Sequence, residues 1–550
     1  MTLVTERPAD EGASMPTATT HLKTECDVLI VGAGPTGLTA ALALTAQGVR
    51  VRIIDDAPIR HQTARASAIH ARTLELLAPL GVADRIVAYA QPIRAVRFFD
   101  DSGHELQRRT PQPIDSPYPA LQNLQQWHVE WILAEQLLAR GIPVEADTRF
   151  ERLTQDATSV TATVQTARGE QIIRARHLIG ADGARSAVRH AVGLQLVGHD
   201  YPERWIAGEL EIDDTHVQTE SRILFGADRV ALCFPLDAGF LFFATLTEDE
   251  FPDARPGPMP ADNVLQIFQA SFGRHPALSA RVTGIPWTGL FRMHSCVVPD
   301  YQVGRVLLAG DAAHLSSAAG GFGMNAGIHD AINLAWRLAA HLRLGAPAGM
   351  LHGYSVDRRE MFNAVNAASD AAHRVLVGRD PRALAGTRVP LPGPAMAAAD
   401  RETGEVAFAY QHDTLWFDAG APGALRAGMR VPLTADLSSG DGAARPWSTV
   451  YDGVHWTLLL AVPDRRAVRT RYLRQLDMVA LAWLNARTRL VVAVGDAYRW
   501  NAPRPTLYVV RPDGYVAFRS DAETGSLPDI RRLADWFAQH FGADLVSADA

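Results

Sequence analysis

Asp27-Val-Leu-Ile-Val-Gly-Ala-Gly-Pro-Thr-Gly37 is the stretch whose reading decides the fold. Its first five residues form the apolar run of a buried strand. A glycine turn follows, and then an Ala/Leu-rich helix to about Gln47. A second apolar run, Val51–Ile54, ends at Asp55. Each residue type has a physical job. Gly32 allows the tight turn, Gly34 lets a pyrophosphate approach the backbone, and Gly37 lets helix and strand pack closely. Pro35 suits the first helical position, and Thr36 stands beside it in the turn. Asp55 lies 18 residues past Gly37, where a carboxylate meets ribose hydroxyls. Strand, glycine turn, helix, strand and acid in this order make up the dinucleotide-binding fingerprint. The chain is therefore expected to be α/β with a Rossmann-like domain. The null alternative is an ordinary strand–turn–helix unit.

Two further stretches repeat the theme. Leu178-Ile-Gly-Ala-Asp182-Gly183-Ala-Arg185-Ser186 reads as a strand ending in Asp-Gly ahead of a helix. Asp182 either caps that helix or meets a ligand. Arg305 to Trp336 reads as strand Val306–Ala309, then Gly310-Asp311, then the turn Gly320-Gly321-Phe322-Gly323. An amphipathic helix is expected from about Met324, with Ala326, Ile328, Ala331, Leu334, Ala335 and Leu338 on one apolar face. A strand-end Asp can bind a polyol. A helix N-terminus behind glycines offers N–H groups and partial positive charge to an electron-rich ring.

Between these stretches, Arg65 and Arg72 sit around a basic turn, and either could meet phosphates or simply face water. Gln126 precedes a helix, Val129–Leu138, with Trp131, Leu133, Leu137 and Leu138 expected inward. Val160 to Arg176 alternates like an antiparallel hairpin. Residues 195–300 change to aromatic-rich strands of one sheet, over a helix at Val264–Phe272. Leu351–Val377 is a long helix. Residues 380–410 are rich in Pro, Ala and Gly and read as a linker. The remainder, 411–550, has strand and helix runs in the order of a thioredoxin-like unit. No cysteine lies beyond Cys296, so dithiol chemistry there is excluded.

Composition narrows the class. Of 550 residues 47% are hydrophobic and 21% charged, as in a soluble globular protein of two or three domains. The formal net charge of -7 argues against nucleic acid as partner. Cys26, Cys233 and Cys296 make neither a disulfide framework nor a metal site, which suits a reducing, cytoplasmic setting. Residues 1–24 read as a disordered leader without a signal-peptide core. Residues 28–49 carry no charge, but their glycines and proline argue against a membrane span.

Together, Gly32-x-Gly34-x-x-Gly37, Asp182-Gly183 and Gly310-Asp311 with Gly320-Gly321-x-Gly323-Met324-Asn325 resemble the single-component FAD-dependent aromatic hydroxylases. This is the para-hydroxybenzoate and phenol hydroxylase group. The C-terminal unit, with its Arg511-Pro512-Asp513-Gly514 hairpin, is similar to the phenol and polyketide hydroxylase branch. The resemblance implies an FAD-binding domain in two parts, 25–194 and 301–379, around a substrate-binding β-rich domain, 195–300. It implies FAD with its ADP half on Gly32–Gly37 and Asp55, and its ribityl chain on Asp311. Met324 and Asn325 N–H groups would meet the pyrimidine edge. Asp182 would serve FAD and nicotinamide, and Arg65 and Gln126 would touch FAD. NADPH or NADH would visit without a Rossmann domain of its own. O₂ would react to give a C4a-hydroperoxyflavin that hydroxylates a small phenolic or polyketide-like ring.

Baeyer–Villiger insertion, dearomatisation, a flavin oxidase or dehydrogenase, and a non-catalytic flavin-binding scaffold stay open at this point. So does a homodimer. No metal is implied, and no catalytic residue is assigned. His294 is the candidate base, weighed against a satisfied core histidine, and Tyr201, Arg222 and Met293 are candidates for the substrate pocket. The chain departs from the family where Ser317-Ala318 replace a Pro pair, Phe322 a frequent Gln, and Cys296 a frequent Arg. FAD binding is expected to survive these changes.

Overall fold

The computed structural model describes residues 25–57, 66–118, 121–213, 219–275, 280–378, 408–411, 415–420, 425–434, 436–438, 444–463, 468–484, 487–494, 504–524 and 526–541. The expected leader, Arg65 and nearly all of the expected linker lie outside the described residues.

The first layer is built on β1 (Glu25–Val31), α1 (Pro35–Ala46), β2 (Val51–Ile54), β3 (Gly169–Gly180) and β4 (Val306–Leu308). The four strands run parallel in the order β4-β3-β1-β2. Val31 pairs with both Gly180 and Ile54, and Gly180 with Leu308. Their carboxyl ends therefore finish level, at the crevice where open α/β sheets bind ligands. Val28, Ile30, Leu178 and Leu307 are wholly buried, as in a sheet covered on both faces. The hairpin expected from Val160 is present, because Val160–Thr166 pairs antiparallel with the first half of β3.

Two long helices follow, α2 (Phe322–Leu344) and α3 (Gly349–Gly378). The expected amphipathic character of α2 is corrected. It is buried on every side from Met324 to Ala340. The C-terminal unit covers the face that would otherwise meet water, with Trp336 edge-on to Trp456 at 5.3 Å. Helix Gln126–Ala139 begins at Gln126 itself, and Leu138 points outward, 62% exposed, not inward.

The second sheet has eight strands and draws on more of the chain than 195–300. Ala95–Asp100 and Glu105–Arg109 extend one edge, and His314–Leu315 the other. Its strands alternate between two apolar clusters. Phe99, Ile206, Leu224 and Phe242 pack under helix Ala261–Phe268. Tyr201, Trp205, Phe225, Phe243 and Met293 share the other face with Val375 of α3.

The C-terminal sheet has five strands, with Trp456–Val462 and Thr488–Val494 parallel and Thr506–Val510 and Val516–Asp521 as a hairpin. Helices Thr470–Leu484 and Ile530–Phe541 flank it. Among the described residues no helix is long and apolar enough to cross a membrane.

Candidate functional site: a cleft at the strand ends

The three glycine-bearing stretches converge. Gly32 adopts φ +106°, and a Cβ there would fall 2.3 Å from the Ala181 carbonyl oxygen, so the first stretch touches the second through backbone alone. Gly310 and Gly327 close on Thr36, where added Cβ atoms would lie 2.6 and 2.3 Å from its Oγ1. The first stretch thus also touches the third. Gly37 packs against the Gly32 carbonyl. Gly34, Gly183 and Gly323 face open space, with no heavy atom within 4 Å of an added Cβ. They leave bare backbone just past the ends of β1 and β3 and in the first turn of α2.

The carboxylates play different parts. Asp55 Oδ2 accepts the Ala33 N–H at 2.5 Å and Oδ1 the Ala57 N–H at 2.9 Å. Burial raises its pKa. Asp182 Oδ1 accepts the Ser186 hydroxyl at 2.5 Å and Oδ2 the Val188 N–H at 3.0 Å, fastening helix Ala187–Ala191. Burial raises its pKa as well. Arg189 of that helix donates to Ala184 O at 2.8 Å and Ala312 O at 3.1 Å, locking the second stretch to the third. Asp311 stands exposed on the turn Gly310–Ala312. Behind it, Asp330 accepts the Gly310 N–H at 2.9 Å and meets His314 at 2.6 Å and Arg358 at 2.7 Å. Burial opposes its ionisation, yet His314 and Arg358 hold it below the usual carboxylate range.

The first turns of α2 lie beside the same glycine turns, with Gly327 against Thr36 and Gly310. Gly321 caps it with no side-chain hydrogen bond and no acid in the first turn, so the first N–H groups are left for a ligand. Met324 and Asn325 lie in that turn. The Asn325 side chain has a role that sequence reading missed. Its Oδ1 accepts the His70 N–H at 3.0 Å and the Thr73 hydroxyl at 2.7 Å. Its Nδ2 donates to Ala68 O at 3.0 Å and Gly321 O at 2.7 Å. All four hydrogen bonds of a buried amide are used, and the helix end is stapled to strand Ala68–His70.

Several expectations are corrected. Arg72 does not face phosphate. It is fully buried, pairs with Glu75 at 2.8 Å, donates to the Asp513 carbonyl at 2.5 Å and lies over the Tyr515 ring. The Gln126 side chain turns to Glu130 of its own helix at 2.8 Å. Arg222 lies over Phe240 on the far face of the second sheet, because it alternates out of register with Ile223 and Phe225. His294 also alternates away from Met293. It is half exposed and paired with Asp200 at 2.6 Å, so it is neither a core histidine nor a cleft base. Tyr201 and Met293 lie buried on the face of the sheet that packs against α3: Met293 Sδ lies 3.2 Å from Ser317 Oγ, and the Tyr201 ring lies 3.8 Å from that of His373. His373, near the end of α3, was not singled out from sequence. A lone His at a helix tail carries no pattern.

Comparison with known proteins agrees with this geometry. A family model described as "FAD binding domain" matches residues 25–369. The chain belongs to that family. This FAD-binding protein is 29% identical over 525 residues to a flavin-dependent monooxygenase of Mycobacteroides abscessus, covering 92% of this chain and 99% of the relative. It is also 29% identical to a 12-dehydrotetracycline 5-monooxygenase/anhydrotetracycline 6-monooxygenase of Streptomyces rimosus, covering 93% and 98%. Aklavinone-11 hydroxylase, solved with FAD and aklavinone, superposes with a TM-score of 0.77 at 26% identity, covering 94% of this chain and 99% of that one. The protein is an FAD-dependent monooxygenase.

Proposed function

We propose that this monooxygenase hydroxylates a phenolic or aromatic polyketide-like substrate laid on the cleft-side face of the second sheet. The single observation that supports the reading is the close approach of three stretches, with Gly32 against the backbone of Ala181-Asp182 and Gly310 and Gly327 against Thr36. In this reading Gly34 admits the pyrophosphate of FAD and Asp55 binds its ribose. Asp311 holds the ribityl chain. The N–H groups after Gly321, at Gly323 and Met324, meet the electron-rich edge of the ring, and Asn325 follows them in the same turn. FAD, once reduced by NAD(P)H, supplies the activation of O₂.

The chain's own residues do the rest. Tyr201, Trp205, Phe243 and Met293 are buried in one apolar cluster, which in this reading backs the wall that orients a ring. Their apolar packing excludes water from the reacting atoms. The C-terminal unit is read as thioredoxin-like without dithiol function, since all three cysteines precede residue 300. Its hairpin acts as a brace. Asp513 accepts from Trp336 Nε1 at 3.1 Å and from Asn333 Nδ2 at 3.2 Å, both on α2.

The test is a panel of phenols, naphthols and tetracyclic polyketides with NADPH or NADH under ¹⁸O₂. The expected result is substrate-stimulated NAD(P)H use with one labelled oxygen in a product. Reductant consumption that yields only hydrogen peroxide across the whole panel would reject the proposal in favour of an oxidase.

A further inference from the structure

The turn that leads from β4 into α2 is gripped from behind by one polar stripe of α3. The Ser369 hydroxyl lies 3.0 Å from Ser317 O and 2.9 Å from Ala319 O, within reach of both carbonyls. One turn further on, His373 Nδ1 lies 2.8 Å from Ser317 Oγ, which also accepts the Ala319 N–H at 3.1 Å. His373 Nε2 reaches Glu203 at 3.3 Å. This pattern assigns the proton to Nε2 and leaves Nδ1 to accept the Ser317 hydroxyl. Asn366 donates to Ser295 Oγ at 2.8 Å, and Asp370 accepts the Tyr201 hydroxyl. Residues 366, 369, 370 and 373 share one helical face by their spacing of three and four. That face therefore holds both the turn and the second sheet.

Ser317, Ser369 and His373 are all essentially inaccessible to water. Burying this many polar groups is tolerable only when each finds a partner, and the outcome is a backbone with one shape. The backbone so fixed is the one that runs past Ala318 and Gly320, which are exposed. Neither Ser317 nor Ala318 has a ring to restrict φ, so the segment's shape depends on its hydrogen bonds.

We propose that Ser317, Ser369 and His373 are positioning residues that hold the 316–320 turn in the shape the FAD ring requires; this rests on the cleft being the FAD site. The test uses full-length protein stripped of flavin and titrated with FAD, followed by quenching of flavin fluorescence. Ser369→Ala removes the one hydroxyl proton that the two carbonyls share and is expected to weaken FAD about tenfold, with partial recovery of fluorescence in the bound state. His373→Gln is expected to act in the same direction, and Ser369→Thr, which keeps the hydroxyl, to restore most of the affinity. Ser271→Ala is the control. It removes an equally buried hydroxyl bond, to Ile267 O at 2.8 Å, under the far face of the second sheet. It is expected to lower the urea midpoint without moving the FAD dissociation constant. If Ser369→Ala does not fold, His373→Gln decides. Variants that bind FAD within twofold of wild type, or a control that weakens it equally, overturn the proposal. A wild-type apoprotein that takes up no FAD would instead remove the cleft assignment beneath it.

Discussion

Replacing Gly34 by Ala separates the role of the glycine turn in binding from its role in folding. Gly34 has φ −71°, a conformation that alanine adopts freely. Its added Cβ meets no protein atom within 4 Å. The empty protein therefore has no reason to object, and the apoprotein's urea midpoint should match wild type. In the proposed placement the new methyl would enter the space of the pyrophosphate against the Gly34 backbone. Losing one N–H bond to a charged oxygen costs about 1.5–3 kcal/mol, so FAD should bind about ten- to a hundredfold more weakly. Gly32→Ala is the contrast. There φ is +106°, and the Cβ would sit 2.3 Å from Ala181 O and 2.9 Å from Asp182 N, both rigid backbone. Left-handed strain alone costs about 1–3 kcal/mol, and the overlap adds to it. That variant should lose apoprotein stability together with FAD. Titration of each apoprotein with FAD and urea unfolding in parallel give both quantities. A Gly34→Ala protein that holds FAD within twofold of wild type, or that is destabilised as much as Gly32→Ala, refutes the placement of the pyrophosphate.

Other consequences follow from buried polar groups. Asn325→Asp keeps the shape but turns a carboxylate toward the Ala68 and Gly321 carbonyls, so the protein should lose about 3 kcal/mol or more and bind FAD poorly, as read by urea unfolding and flavin titration. His177 is buried and pushed down to about 3 by that burial, with His341, Arg305 and Arg176 adding to the effect. A depressed histidine favours the folded state fully above its unfolded pKa near 6.5, and that contribution is lost as pH falls from there toward 3. Between pH 7 and 5 wild type should therefore lose about 2 kcal/mol more stability than His177→Gln. Equal slopes in urea unfolding would contradict the burial of a neutral ring.

The stretches that depend on neighbours in sequence were legible from it. A glycine turn between an apolar run and a helix needs only local φ/ψ freedom and local hydrophobic period. So β1, α1, β2, the ends of β3 and β4, and Asp55, Asp182 and Asp311 at the strand ends could be read directly. The tertiary structure decided everything that turns on which surface covers which. Arg72 is open between phosphate and solvent in the sequence, and in the fold it meets neither, because Glu75 and the Asp513 hairpin enclose it. The outer face of α2 lost its solvent because Trp456 arrived from far along the chain. Arg222 and His294 fell on the wrong faces because alternation fixes parity only once one residue of the strand is known to face the cleft. Asn325 and His373 each depend on partners at least 50 residues away, such as His70 and Ser317. Backbone conformation is written in short range. The satisfaction of a buried polar group depends on whatever the fold brings within three ångströms, and no local pattern records that.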